Sequence, residues 1–211
     1  VGTDGVRCYT APPLLPDRSD IARRQAELWG NPRRRVSVAR HMYALRLGEV
    51  LPHRDLDTLR GIEGARVKAT YRLMAQRYGV PWKGRHYDRQ NPNAADLPNQ
   101  AINHAATAVQ GAAAIAVQAV AAIPQLGFIH EDSGQSFVLD IADLYRDTVT
   151  LQVAFTAAKK ADTDTNTIDR LVRREAAIVF RRQGIIPAMI DSIKKVIRME
   201  DADGARRDRH S

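Results

Sequence analysis

Glu63 is the first residue of this sequence whose placement could support chemistry. It occupies the slot between Leu59 and Val67 on what the spacing predicts to be the apolar face of a helix. A carboxylate in an apolar stripe is costly unless it is paired with a cation or coordinates one. The simpler alternative is a buried salt bridge to Arg60 or Arg66, which lie one helical turn away on either side.

His130, Asp140 and Asp143 form a second group of candidate residues. Taken singly, each has a structural explanation: a histidine near a turn, an aspartate that caps a helix, and an aspartate in the first helical turn. A predicted hairpin over residues 127–139 would return the chain close to His130. A spacing of three places both aspartates on one side of the following helix. We therefore expect these side chains to converge.

Together with Glu63, these residues would supply one imidazole nitrogen and two or three carboxylates. Such a set of ligands suits Mg²⁺ or Mn²⁺, and the imidazole favours Mn²⁺. A bound divalent cation can activate a water or a hydroxyl group and neutralise a phosphodiester as it reacts. The chemistry that this group of residues predicts is therefore metal-dependent phosphodiester chemistry.

Seven predicted helices must position these side chains. Capping residues, glycines and apolar periodicity place them at about residues 17–29, 32–47, 56–78, 99–123, 140–160 (opening at Asp140), 167–182 and 187–199 (opening at Pro187). The fold class predicted is mainly α, with one helical domain over residues 17–199 that contains a small β-hairpin. Residues 1–16 are typical of a short strand and linker, residues 81–98 of a long functional or mobile loop, and residues 200–211 of a disordered tail.

The predicted helix over residues 99–123 has an unusual composition. It is rich in alanine, and no Asp, Glu, Lys or Arg occurs between Asp96 and Glu131. A transmembrane helix is one interpretation. Six Asn, Gln and His side chains within the helix argue against it. A buried helix in a bundle explains the composition better, because alanine lets neighbouring backbones approach closely.

The charge balance favours a polyanionic partner. The chain of 211 residues carries 32 basic and 24 acidic residues, which gives a net charge of +8 and an isoelectric point near 10.0. The single cysteine excludes an internal disulfide framework and a cysteine-rich zinc site, and it fits the reducing cytoplasm. Aromatic residues make up only 6%, which argues against a base-stacking platform. An acidic metal site in a basic chain is the electrostatic layout expected of a nuclease.

Several segments, in this order, resemble one known family. They are residues 59–71, 78–85, 99–100, 127–130 and 136–143. They are similar to the CRISPR-associated integrase, the endonuclease of the spacer-acquisition complex, in its type I subtype E form. The similarity extends from Val1 to about Met199. It implies that Glu63, His130 and Asp143 bind the divalent metal, and that Asp140 is an accompanying acidic residue needed for activity.

The resemblance also implies an architecture and a reaction. Family members have a small N-terminal β domain followed by a helical catalytic domain, and this chain resembles the second, so the missing initiator methionine suggests a fragment. They act as homodimers that flank a small ferredoxin-like CRISPR-associated partner subunit. They insert short foreign DNA duplexes into a CRISPR array by transesterification of 3′-hydroxyls, as part of antiviral defence, and they also cleave branched DNA. No membrane is involved.

Five basic or aromatic residues acquire expected roles in DNA binding. Arg60 and Arg66 flank Glu63, and Arg146 lies one turn after Asp143, so all three could hold phosphates. The resemblance adds Arg85 and Tyr87, in the loop over residues 81–98.

Two positions depart from the family pattern. Gln110 and Leu139 stand where the subtype has tyrosines, so no role of those tyrosines can be transferred. The expected metal ligands are intact. The alternative hypothesis is a non-catalytic DNA-binding or assembly module, in which the acidic residues are a helix cap and a buried ion pair.

Overall fold

A computed structural model describes residues 19–50, 52, 55–86 and 95–198 of the chain. Within these ranges it contains eight α-helices and one π-helical segment. They are α1 (Asp20–Gly30), α2 (Pro32–Leu47), α3 (Leu56–Tyr78), α4 (Leu97–Ala119), α5 (Ser136–Leu144), the π-helical segment (Arg146–Thr150), α6 (Leu151–Lys160), α7 (Ile168–Gln183) and α8 (Ile185–Ile197). The predicted mainly α fold is confirmed. The predictions for residues 1–16 and 200–211 lie outside the described residues.

Local capping signals explain the bounds of α2 and α3, which match the predicted bounds. Asn31 accepts hydrogen bonds from two backbone amides in the first turn of α2, and Asp55 accepts one from Thr58 N at 2.8 Å at the start of α3. Gly79 ends α3 with φ 62°, a left-handed conformation that glycine adopts without steric cost. These two helices carry one wall of the site described below.

Helix α4 is the centre of the bundle. It packs against α5, α6, α7 and α8, and ten of its residues are buried. Five of these are alanines with at most 1% of their surface exposed, so the neighbouring helices approach its backbone closely: Ala101, Ala105, Ala112, Ala113 and Ala116. The prediction of a buried helix is confirmed. No helix within the described ranges is both long and apolar enough to cross a bilayer.

The predicted β-hairpin over residues 127–139 is wrong. Residues 120–135 form turns and irregular structure, no strand occurs in the described part of the chain, and α5 begins at Ser136. Phe137, Val138 and Ile141 point into the core with helical rather than alternating spacing. The backbone amides that a strand would pair are instead satisfied by the side chain of Asp140.

Close packing holds the irregular segment against the start of α5. At Gly127, an added Cβ atom would collide with the backbone oxygen of His130 and lie 2.7 Å from the Cβ of Ser136. Only glycine therefore fits where these two stretches of chain cross.

The predicted helix over residues 140–160 is three elements. The π-helical segment separates α5 from α6, and the amides of Val149 and Thr150 both bond to the carbonyl of Tyr145. Such a segment widens one helical turn and is often found near functional sites. The start predicted for the last helix, at Pro187, is also wrong, because α8 begins two residues earlier, directly after Gly184.

Candidate functional site

Asp140 organises the site from inside the protein. Its side chain is fully buried and accepts hydrogen bonds from the backbone amides of Phe128 (2.6 Å), Ile129 (3.1 Å) and His130 (3.0 Å). Its Oδ1 atom also lies 2.7 Å from Nδ1 of His130. Asp140 is the fifth residue of α5, so its predicted role as a helix cap is wrong. The carboxylate instead holds the segment 127–130 in place.

The hydrogen bond from Asp140 sets the orientation of the His130 imidazole. With Nδ1 bonded to this carboxylate, Nε2 is the nitrogen that faces the site, 3.9 Å from Oδ2 of Asp143. The same hydrogen bond raises the pKa of His130 above its ordinary value, and partial burial of the ring opposes the shift. A carboxylate behind a histidine in this arrangement is typical of histidines that bind a metal or move a proton.

Two arginines neutralise the carboxylates of Glu63 and Asp143. Nη1 of Arg46, from α2, contacts Oε1 of Glu63 and lies 3.5 Å from Oδ2 of Asp143. Arg146, from the π-helical segment, contacts Oδ1 of Asp143, and its Nη1 is 3.7 Å from Glu63. Glu63 is therefore ion-paired, as the simpler sequence interpretation expected.

The partners predicted for Glu63 are nevertheless wrong. Arg60 bonds to Asp57, and Arg66 bonds to Glu49, and neither arginine is ion-paired with Glu63 in the described part of the chain. The actual partner, Arg46, precedes Glu63 by 17 residues and lies on another helix. Sequence spacing along a single helix could not identify it.

The expected ligands line one open cavity of about 520 Å³. Glu63 comes from α3, His130 from the loop before α5, and Asp143 from α5 itself. The other residues that line the cavity are Tyr43, Arg60, Ile129, Glu131, Asp132, Ser133, Leu139 and Arg146. The structure thus brings together three of the four acidic or imidazole residues singled out in the sequence, while Asp140 supports them from behind.

The types of ligand atom in this cavity suit a divalent cation. Two carboxylates and one imidazole nitrogen are ligands that Mn²⁺ and Mg²⁺ accept. In their present positions, no three His, Cys, Asp or Glu side chains of the described residues are grouped closely enough to hold a metal. Nη1 of Arg46 instead contacts Glu63 and lies 3.5 Å from Asp143.

The predicted DNA contacts fall into three groups. Arg60 and Arg146 line the cavity, whereas Arg66 does not. Arg85 lies elsewhere, where its guanidinium donates to Asn99 Oδ1 (2.9 Å) and Asn103 Oδ1 (2.6 Å) and so ties the loop after α3 to α4. Tyr87 lies outside the described residues.

The two departures from the family pattern differ in their distance from the site. Leu139 lines the cavity, and Gln110 on α4 is not among its lining residues. The tyrosine that the subtype has at position 139 is therefore replaced by an apolar side chain at the site itself.

Tyr43 is a cavity residue that the sequence did not single out. Only 2% of its surface is exposed, and its hydroxyl makes no well-formed hydrogen bond among the described residues, although the guanidinium of Arg60 lies close to it. Burial raises the pKa of Tyr43, the negative charge of Glu63 adds to the increase, and the nearby Arg60 opposes it. Its position on the apolar stripe of α2 gave no sign that the hydroxyl would face an acidic cavity.

Replacing Tyr43 with phenylalanine is expected to raise the free energy of unfolding by about 1 kcal/mol, because a buried hydroxyl without a well-formed hydrogen bond costs stability. Tyr145→Phe is the matched control, since the hydroxyl of Tyr145 bonds to Ser192 Oγ at 2.9 Å. In that control, the free energy of unfolding should fall by about 1 kcal/mol. Urea denaturation of both variants measures the difference, and a destabilised Tyr43→Phe would contradict the assignment.

Comparison with known proteins identifies the family. A sequence model described as CRISPR associated protein Cas1 matches residues 36–171, which is more than half of the chain and includes all the site residues above. The chain belongs to the Cas1 family. It covers the helical C-terminal domain of that family.

Two curated relatives in the Cas1 family illustrate the degree of similarity. The CRISPR-associated endonuclease Cas1 of Geobacter sulfurreducens is 38% identical over 198 residues, and that of Escherichia coli K12 is 37% identical over 198 residues. Each alignment covers 93% of this chain and 64% of the relative. The chain therefore spans just under two thirds of the length of these Cas1 proteins.

Solved structures agree with the family assignment. The crystal structure of a TtCas1–DNA complex has a TM-score of 0.79 at 33% identity, and the match covers 87% of this chain and 67% of that one. A casposase bound to its integration product has a TM-score of 0.67 at 11% identity, over 91% of this chain and 68% of that one. The second likeness, at such low identity, shows a shared fold alone.

Proposed function

We propose that this chain carries the catalytic centre of a divalent-metal-dependent DNA endonuclease and integrase. The proposed reaction joins the 3′-hydroxyls of a short DNA duplex to the repeat of a CRISPR array by transesterification. The observation that carries the proposal is the cavity in which Glu63, Asp143 and the free nitrogen of His130 face one another. The relatives named as endonucleases and the neighbour solved with DNA support it.

Glu63, His130 and Asp143 are the residues that would hold Mg²⁺ or Mn²⁺. When bound, such a cation supplies activation of a hydroxyl group and neutralisation of phosphate charge. Asp140 serves this set indirectly, because its hydrogen bond to Nδ1 keeps Nε2 of His130 directed into the cavity. The fully buried position of Asp140 makes that orientation rigid.

The arginines around the cavity would bind the DNA backbone. Arg146 and Arg60 have 29% and 49% of their side chains exposed, so both can contact a phosphate without first crossing the protein interior. Arg66 on α3 and Arg85 in the loop that follows it are further proposed DNA contacts, and Tyr87 stays a proposal from the family resemblance alone. The net charge of +8 favours a polyanionic partner, which is consistent with DNA.

Two further parts of the proposal concern assembly and location. We propose that the complete protein works as a homodimer together with a small ferredoxin-like CRISPR-associated subunit, in the cytoplasm. Membership of the Cas1 family supports the proposed assembly, and the single cysteine fits the reducing cytoplasm.

One observation favours a second candidate function, a non-catalytic DNA-binding or assembly module. Arg46 and Arg146 already neutralise the carboxylates of Glu63 and Asp143, as they would in a purely structural ion-pair cluster. Under this alternative the chain binds DNA without changing it, and divalent cations have no effect.

Removal of the metal distinguishes the two candidates. The purified chain is incubated with labelled branched DNA in Mn²⁺ or in excess chelator, and the cleaved product is quantified. Chelation is expected to lower the rate at least about a hundredfold, because a bound cation contributes several kcal/mol of transition-state stabilisation and each 1.4 kcal/mol is tenfold. Equal rates in chelator, or DNA binding with no product in Mn²⁺, would refute metal-dependent catalysis.

A further inference from the structure

Arg46 is the most deeply buried charged group that contacts the two carboxylates. Only 5% of its side chain is exposed, compared with 29% for Arg146. One nitrogen atom, Nη1, contacts Oε1 of Glu63 and lies 3.5 Å from Oδ2 of Asp143. A single cationic nitrogen is thus shared between carboxylates that come from two different helices, α3 and α5.

The other donors of this guanidinium are not used. Nε and Nη2 of Arg46 are buried, and neither finds a hydrogen-bond partner within the described part of the chain. A buried donor without a partner is unfavourable, so hydrogen bonding alone does not account for the position of Arg46. Its attraction to two negative charges does account for it.

The carboxylates need a cation in this cavity. Glu63 and Asp143 have only 15% and 20% of their side chains exposed, so water screens their mutual repulsion poorly. Arginine cannot neutralise itself by losing its proton, which makes Arg46 a permanent source of positive charge. A divalent cation bound by the same two carboxylates would occupy the place where Nη1 of Arg46 now lies.

We propose that Arg46 is a built-in counter-ion that a divalent cation must displace, so that this arginine sets the metal affinity of the site. The role rests on the proposed function, because it takes Glu63, His130 and Asp143 as the ligands of the cation. Arg46 would act through the two carboxylates that it contacts, and it would not itself touch the reacting atoms. Arg146 differs from it, because its more exposed side chain can turn toward solvent or a phosphate when the cation arrives.

Titration with Mn²⁺ alone, without DNA, tests the role. Isothermal titration calorimetry compares the wild-type chain with Arg46→Gln and Arg46→Lys, after circular dichroism has shown each to be folded. We expect Arg46→Gln to bind Mn²⁺ at least about tenfold more tightly, since the cation no longer displaces a buried charge. Arg46→Lys should lie between the two, because its ammonium keeps the charge but cannot reproduce the geometry of the guanidinium.

Arg174→Gln is the matched control. Arg174 also contacts two carboxylates, Asp164 at 2.9 Å and Glu175 at 3.8 Å, but it lies outside the cavity. Its replacement removes the same formal charge and should change the Mn²⁺ affinity by less than about twofold, because exposed distant charges are screened. An equal gain in Arg174→Gln would show an effect of net charge and would overturn the specific role of Arg46.

The remaining outcomes separate this role from the proposed function. If the wild type binds Mn²⁺ and neither Arg46 variant binds it more tightly, the counter-ion role is wrong and the metal site stands. If neither the wild type nor any variant binds Mn²⁺, the proposed metal site fails and the role of Arg46 fails with it. If Arg46→Gln binds Mn²⁺ and the wild type does not, the counter-ion role is supported, because Arg46 then prevents binding altogether. If Arg46→Gln does not fold, the test is whether Arg46→Lys binds Mn²⁺ more tightly than the wild type.

Discussion

Replacement of Asp140 with alanine is expected to lower the free energy of unfolding by about 3–5 kcal/mol, because it breaks a buried hydrogen-bond network that includes three backbone amides. The change leaves the buried amides of Phe128, Ile129 and His130 without their acceptor. It also removes the group that orients the His130 ring. If Asp140 served only as a helix cap, its replacement would lower the free energy of unfolding by only about 1 kcal/mol. Urea denaturation monitored by circular dichroism measures the loss.

Asp143→Asn provides the contrast for Asp140. Asp143 is three residues later on the same helix, but 20% of its side chain is exposed and its partners are arginines rather than backbone amides. We expect this substitution to change stability by less than about 1 kcal/mol, because an asparagine can still accept a hydrogen bond from Arg146. A similar small effect from Asp140→Ala would contradict the structural role assigned to that carboxylate.

Loss of the carboxylate of Glu63 or of Asp143 is expected to have the largest effect on catalysis. Glu63→Gln and Asp143→Asn keep the shape of the side chain and remove the negative charge that would hold the cation. We expect each to lower the single-turnover rate of Mn²⁺-dependent DNA cleavage by about a thousandfold, which corresponds to about 4 kcal/mol of transition-state stabilisation. DNA affinity should remain within about threefold of wild type, because phosphate contacts by arginines dominate binding.

The control for this loss of activity is a carboxylate far from the cavity. Asp169 pairs with Arg173 on the surface of α7, so Asp169→Asn removes one negative charge without altering the site. Its cleavage rate should stay within about twofold of wild type, as expected for a surface substitution away from the site. Fluorescence anisotropy with labelled DNA gives the affinity of each variant. Full cleavage activity in both Glu63→Gln and Asp143→Asn would show that these carboxylates do not hold a catalytic metal.

The elements that sequence predicted well are governed by local signals. Asp55 at the start of α3 and Gly79 at its end act on residues only a few positions away, so they define the helix without knowledge of the fold. The alanine-rich composition of α4 likewise predicts a buried helix, because no other environment suits an uncharged segment with scattered amides so well. The convergence of His130 and Asp143 was also predicted, although on the basis of a hairpin that does not exist.

The parts that sequence predicted poorly depend on contacts between distant segments. Asp140 replaces strand pairing by binding three amides about ten residues earlier, and no pattern in the sequence distinguishes this from a helix cap. The ion pair of Glu63 with Arg46 joins two helices. One signal could have suggested Arg46: it continues the buried stripe of Ala39, Met42 and Tyr43 at helical spacing. A charged residue in such a stripe requires a partner, and Glu63 is a carboxylate in the apolar stripe of the next helix.

The most direct test of the proposed centre is to locate Mn²⁺ by anomalous X-ray scattering in crystals of the chain grown in saturating Mn²⁺. The account predicts a strong anomalous peak in the cavity, bound by carboxylate oxygens of Glu63 and Asp143 and by Nε2 of His130, with the guanidinium of Arg46 displaced from between the two carboxylates. A cavity without a peak, in which Arg46 still bridges Glu63 and Asp143, would contradict it.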